Sequence, residues 1–288
     1  MALSEMIKAR EATKAYHRMP IGYGPFPGPR QDWWGKTRLG TKAWTETQRR
    51  GANVTFKTPK AYVETLLPHE SFSFETPGDE VYCTWAALDL QNLGWLEGRG
   101  YIHDVTVKGE TETVTGDYLT VLYEGMADPV TSGREELGTA KLYAELSEIA
   151  IDTEYTLEAK WEGFTFIKVH ITGLKEVPIG SEKPKTSFGP SDGILHYKYI
   201  PATGRPGFAD AEYPCITPFK DPPAKGVPLK EAVGTQGKVT LDTGTWHNLP
   251  TMHHVVDALS KLKVKEIVDS RLFWQRGSDD IPNQRAVN

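Results

Sequence analysis

Cysteine is scarce: Cys83 and Cys215 are the only two in 288 residues, too few to staple a chain this long and in no metal-type spacing. Both are read as reduced thiols. No run approaches the roughly 18 apolar residues of a membrane span, and the opening MALSEMIKAREATKAYHRM alternates charge with apolar residues where a leader would be continuously apolar. A soluble, cytoplasmic protein with no membrane partner is expected. A basic field is missing as well: 33 Lys and Arg against 38 Asp and Glu leave a net charge of −5, with the cations scattered, which argues against nucleic acid. The sequence has no internal repeat and no glycine-rich phosphate loop. His253 and His254 are neighbours on a predicted helix and face different directions, so no metal site is expected.

What the chain does have is a series of short strands punctuated by Gly, Asp and Pro. Gln48 to Lys57, Glu80 to Leu90, Tyr101 to Val107, Asp117 to Glu124, Leu142 to Ile151, Tyr155 to Trp161, Thr165 to Ile171, Ile194 to Ile200 and Lys238 to Asp242 read as strands. Thr58-Pro59 opens a short helix that Pro68 stops, and Met252, Val255, Val256, Leu259 and Leu262 lie at helical spacing. The pattern predicts an α+β protein, mainly antiparallel curved sheet closing into a barrel-like cavity with peripheral helices. We divide the chain into an N-terminal arm and Gly/Pro-rich loop (1–47), one catalytic domain (48–274) and a polar, loose tail (275–288). Ser4 to Tyr16 is predicted as an amphipathic helix within the arm, while 175–226 is expected to roam the surface around a single strand.

One stretch carries chemistry. In GREELGTAKLYAEL, Gly133 to Leu146, Lys141 stands among Leu137, Ala140, Leu142 and Tyr143, an odd home for an ammonium. A solvated strand lysine is the plain alternative. The longer run GDYLTVLYEGMADPVTSGREELGTAKLYAEL, Gly116 to Leu146, resembles the centre of the acetoacetate decarboxylase family. There a Gly-Asp-Tyr-Leu strand leads through an acidic loop to Gly-Arg-Glu, and a lysine seven residues after the arginine forms a Schiff base with a keto acid. Weaker resemblance extends from about Gln48 to Ile267. Two features depart from the family: Thr139-Ala140-Lys141-Leu142 stands where many members have an aromatic residue, Pro, Lys and Lys. The proline and the second lysine are therefore absent.

The resemblance implies a cofactor-independent carbon–carbon lyase, a small keto acid as partner, a homo-oligomer, and Lys141 as the nucleophile. An amine attacks a ketone only when neutral, and a free lysine is neutral about once in several thousand molecules at pH 7. In acetoacetate decarboxylase itself the remedy is burial or a second cation; with Leu142 in the second position, this chain is expected to use burial alone, in an apolar cavity. Two helpers are carried over. Arg49, in Gln48-Arg49-Arg50, is the candidate that binds the substrate's acid group, because a guanidinium fork matches a carboxylate. Glu97, in Leu93-Gly94-Trp95-Leu96-Glu97, is the candidate catalytic carboxyl, although the match needs a one-residue gap and leaves His103 and Asp104 as rivals. Decarboxylation of a β-keto acid is the first reading. An aldolase or dehydratase working on an α-keto acid through the same iminium is the second, and a non-catalytic ligand-binding barrel the third.

Overall fold

The computed structural model describes residues 17–21, 24–27, 46–91, 94–219, 226–277 and 284–288. The helix predicted over Ser4 to Tyr16 and most of the Gly/Pro-rich loop lie outside the described residues. From the arm come β1 (His17–Ile21) and β2 (Gly24–Pro27), an antiparallel pair of their own.

The chain builds one large sheet around four long strands laid side by side and antiparallel: β3 (Gln48–Pro59), β5 (Glu80–Leu90), β6 (Trp95–Lys108) and β7 (Thr113–Glu124). These runs carry Val, Tyr, Thr and Trp, which suit a pleated surface. Outside β3 lie β17 (Glu266–Arg276), β15 (Val227–Val233) and β12 (Lys175–Val177); beyond β7 lie β13 (Gly193–Pro201), β14 (Ala209–Pro218) and β18 (Arg285–Ala286). Two short strands attach to the side, β4 (Phe72–Phe74) on β6 and β8 (Lys141–Tyr143) on β7. A second sheet of four strands follows the order β16 (Gln236–Leu241), β11 (Phe164–Thr172), β10 (Glu154–Trp161), β9 (Glu145–Ile151). Among the described residues only β7–β13 and β7–β8 are parallel. The helices of the described residues include α1 (Lys60–Val63), continued by a 3₁₀ turn, α2 (Ala127–Glu135) and α3 (His253–Ser260).

The core fills the space between the sheets, where buried Tyr123 of β7 meets Phe166 of β11 edge to face with ring centroids 5.1 Å apart. Alternation along β6 shows which side faces that core. A Cβ on Gly98 would meet Leu157 Cδ2 of the small sheet at 3.4 Å, so Gly98 looks inward and its neighbours Glu97 and Arg99 look away. Arg50 of β3 ties the sheets together, donating to Asp89 of β5 and to Glu148 of β9, which also accepts from the Tyr155 hydroxyl.

Three expectations are corrected. Among the described residues the large sheet is open, ending at β12 and β18, because no ladder joins those strands; it is curved sheet, not a closed barrel. The 175–226 segment supplies β12, β13 and β14, since prolines are tolerated at strand ends and edges. The end of the tail is anchored: β18 pairs with β14, Val287 is buried, and the Asn288 carbonyl accepts from the Thr111 and Glu112 amides at 2.9 and 2.8 Å.

Candidate active site

Lys141 sits at the seam between the sheets. The single strand predicted from Leu142 to Ile151 is broken at Ala144, where the chain leaves β8 on the large sheet and enters β9 on the small one. Ala144 is wholly buried and its amide donates to the Glu124 carbonyl at 3.1 Å. Just upstream, α2 sets the lysine's place. Pro129 falls in the first turn, where a missing amide costs no helical bond, and Asp128 beside it suits the positive end of the helix. Thr131 and Ser132 bond back to the Ala127 and Asp128 carbonyls, 3.0 Å each. The helix closes with Gly138 at φ +70°, a left-handed step that glycine takes without strain, and the Thr139 amide returns to the Gly133 carbonyl at 2.9 Å. The Arg134 guanidinium then donates to the Lys141 carbonyl at 3.1 Å. That bond is the physical content of the seven-residue spacing between arginine and lysine. Gly133 leaves room for the lysine itself, since a Cβ there would come within 2.5 Å of Lys141 Cδ.

Register brings the charged groups onto one face. Glu97 of β6 lies directly opposite Glu124 of β7, Arg99 opposite Leu122, and Leu122 opposite Lys141. Relative exposures of 7% for Lys141, 3% for Glu97 and 0% for Glu124 place all three inside the protein. Lys141 Nζ donates to Glu124 Oε2 at 2.8 Å and to Glu97 Oε1 at 3.2 Å, and lies 5.2 Å from the Trp95 ring centre, a cation–π distance. Glu97 is held from every side. Its Oε1 also accepts from Trp95 Nε1 at 2.9 Å, and its Oε2 accepts from Arg99 Nε at 2.7 Å and from Arg99 Nη2. Arg99 reaches the Tyr101 hydroxyl as well, at 3.3 Å.

The two carboxyls have opposite electrostatic fates. Burial works to raise Glu97, but the Arg99 and Lys141 charges and the bonds from Arg99 and Trp95 outweigh it and hold Glu97 down at about 2. Burial raises Glu124 too, the Glu97 charge adds to it, and the attraction of Lys141 does not compensate, so Glu124 is pushed up to about 8. His196, buried and near the Arg99 charge, is driven down to about 3 and stays neutral.

Arg49 belongs to the same neighbourhood. Burial lowers its affinity for its proton, as does the Arg99 charge, while Tyr101 and Glu97 act the other way. Its guanidinium lies 5.8 Å from the centre of the Phe273 ring, Nε is buried without a hydrogen-bond partner, and among the described residues no carboxylate pairs with it. The sequence-predicted Lys141, Glu97 and Arg49 are thus brought together. His103 and Asp104 are not: His103 bridges Thr84 and Asp117 at 2.7 Å each, and Asp104, at φ +60°, accepts from the Phe188 and Gly189 amides.

Sequence reasoning missed Glu124, Arg99 and Trp95. The period-two alternation of Trp95, Glu97 and Arg99 was the available signal for two of them. For Glu124 there was only its position at the end of the Gly-Asp-Tyr-Leu strand. The apolar cavity expected around the lysine is corrected to an ionic cluster, in which Lys141 touches Glu97 and Glu124 and Arg99 touches Glu97. Leu142, in the second lysine's place, turns to the core. A cleft of about 900 Å³ elsewhere, between β16 and β17, holds none of these residues, and its Arg271 is already paired with Glu231 and Asp269. Among the described residues no group of His, Cys, Asp or Glu is placed to hold a metal, and no helix is long and apolar enough to cross a membrane.

Comparison with known proteins agrees on the fold. A solved acetoacetate decarboxylase superposes with a TM-score of 0.58 at 14% identity, covering 84% of this chain and 88% of the other. The acetoacetate decarboxylase of Legionella pneumophila gives 0.56 at 14% identity over 84% of this chain and 86% of its own. The enduracididine biosynthesis enzyme MppR, solved with pyruvate, gives 0.52 at 11% identity over 83% and 89%. No curated protein sequence matches. The sequence model for acetoacetate decarboxylase matches residues 26–278, beginning inside the arm and spanning both sheets, and by that match the chain belongs to the acetoacetate decarboxylase family.

Proposed function

We propose that this protein is a cofactor-independent lyase that condenses Lys141 with a small keto acid and decarboxylates it. The observation that carries the reading is a buried lysine whose Nζ touches two carboxyls of unequal character, within a cluster that also contains Arg49, which among the described residues pairs with no carboxylate. A buried, unpaired guanidinium is costly until an anion arrives, so Arg49 is suited to receive the substrate's carboxylate. Lys141, once neutral, adds to the ketone carbon and water leaves, giving an iminium. In a β-keto acid the bond to the carboxylate carbon then breaks, its electrons entering the iminium as carbon dioxide departs. The resulting enamine takes a proton on carbon, and water returns the ketone and the free lysine.

A second reading rests on Arg49. A carboxylate clamped by a guanidinium is stabilised as an anion, which favours retaining it and using the enamine carbon for aldol chemistry or dehydration of an α-keto acid. MppR, of the same fold, has been solved with the condensation product of pyruvate and imidazole 4-carboxaldehyde.

Incubation with acetoacetate or pyruvate followed by borohydride separates the readings. The expected result is a reduced adduct on Lys141, located by peptide mass, with carbon dioxide released from acetoacetate. An adduct with pyruvate, aldehyde-dependent product and no gas selects the second reading. No adduct with either, but reversible ligand binding, leaves a binding protein.

A further inference from the structure

We propose that Glu124, at the end of the Gly-Asp-Tyr-Leu strand, is the acid–base group of the Schiff-base step: it takes the proton from Lys141 and passes it to the oxygen that leaves as water. The proposal rests on the Schiff-base reading of Lys141. Its ground is the difference between the two carboxyls. Every oxygen of Glu97 is committed, to Trp95, Arg99 and Lys141, so it is a fixed anion and a counter-charge for the cluster. Among the described residues Glu124 receives one hydrogen bond, from Lys141 Nζ at 2.8 Å on Oε2, and its Oε1 is buried without a donor. Two ionised carboxylates directly opposite on adjacent strands repel, and a buried acceptor without a donor is costly. A proton on Glu124 relieves both, because a protonated carboxyl can donate to the neighbouring Glu97. The site is therefore stable with one proton shared between Lys141 and Glu124, and that proton is mobile along a hydrogen bond already formed.

The steps balance. Lys141 gives its proton to Glu124, leaving a neutral amine and a neutral acid. The amine pair forms the N–C bond as the ketone's π pair moves to oxygen. That oxygen takes the proton of Glu124, and Glu124 then takes one from the new ammonium, giving a neutral carbinolamine. The C–O bond breaks as the hydroxyl takes the proton back, water leaves, and the iminium faces two carboxylates, Glu97 and Glu124. The charged groups facing Glu124 are Glu97 from β6 and Lys141 from β8, with Arg99 of β6 bound to Glu97 and Arg49 of β3 on the same face.

The experiment follows growth of the borohydride-trapped adduct with acetoacetate and with pyruvate, in the wild type, Glu124→Gln and Glu124→Asp, with folding checked by circular dichroism. Gln keeps the shape and loses the proton carrier, so trapping is expected to slow by about 10²-fold or more, whereas Asp, still an acid, recovers part of the rate. A parallel infrared measurement on the wild type reads the protonated-carboxyl stretch, expected in the free protein and lost on adduct formation, whatever the fate of the variants. A wild-type adduct with Glu124→Gln trapping at an unchanged rate overturns the proposal and leaves the Schiff base standing. Equal loss in Gln and Asp, with no carboxyl stretch in the wild type, also overturns it. No wild-type adduct at all overturns both.

Discussion

Arg49 shows how little of a residue's role lies in its own contacts. It packs against Phe273, and Phe273 fills the space above Gly51, where a Cβ would meet the ring. Among the described residues, removing the guanidinium therefore breaks no ion pair. Arg49→Ala is expected to keep its thermal midpoint within a few degrees, while KM for the keto acid rises or turnover is lost, by about 10²-fold in kcat/KM if a charge-assisted fork is removed. Steady-state kinetics beside a melting curve tests this; unchanged kinetics would show that the acid group binds elsewhere. Lys141 and Arg49 were readable because their neighbours in sequence carry the family's spacing. Glu124 was not, because its meeting with Lys141 is 17 residues distant and depends on a parallel pairing that no local pattern announces.

Between the residue and the molecule stands the unit β7–α2–β8, which presents the lysine. The strands were legible from alternation and β-branched content, but α2 was not: ADPVTSGRE has a proline, a glycine and two β-branched residues in nine positions, a poor helical record. It is a helix because Pro129 needs no partner, the hydroxyls of Thr131 and Ser132 bond back into the helix, and Arg134 is anchored on the Lys141 carbonyl. Packing also decides what Gly133 does. Its value is space for the lysine's methylenes and not backbone freedom, since it is helical. Alanine would suit the helix by up to about 1 kcal/mol but press on the Lys141 stem. Gly133→Ala is thus expected to keep or slightly raise the melting temperature while lowering the yield of borohydride adduct several-fold. Full adduct yield in a folded variant would show that the stem shifts aside freely.

At the scale of the whole molecule, the buried carboxyls set how stability varies with pH. A carboxyl raised in the folded state binds more protons folded than unfolded between its two values, so stability falls as pH climbs through that interval. For Glu124 the interval runs from 4.5 to about 8, and Asp89, raised to about 6 chiefly by burial and by Glu148, acts in the same direction. Glu97 has the reverse sign: held at about 2, its contribution is complete above 4.5 and is lost as pH falls toward 2. The urea midpoint is expected to decline between pH 5 and pH 8 and to decline less in Glu124→Gln; parallel curves would show that Glu124 ionises in the folded protein as it does in the unfolded one. The two-sheet plan was mostly legible, strand by strand. The open edges, the anchored tail and the strands of 175–226 were not, because they depend on which distant strand accepts each pairing.

Strand β6 carries two independent records. In its first half, before the register shifts, the even positions Leu96, Gly98 and Gly100 serve the core, and the odd positions Trp95, Glu97 and Arg99 serve the chemistry. Substitutions at odd positions can rewrite a reaction without disturbing the inner face, and substitutions at even positions can repack the core without altering the reaction. A fold built on such strands can persist between chains only 10–14% identical.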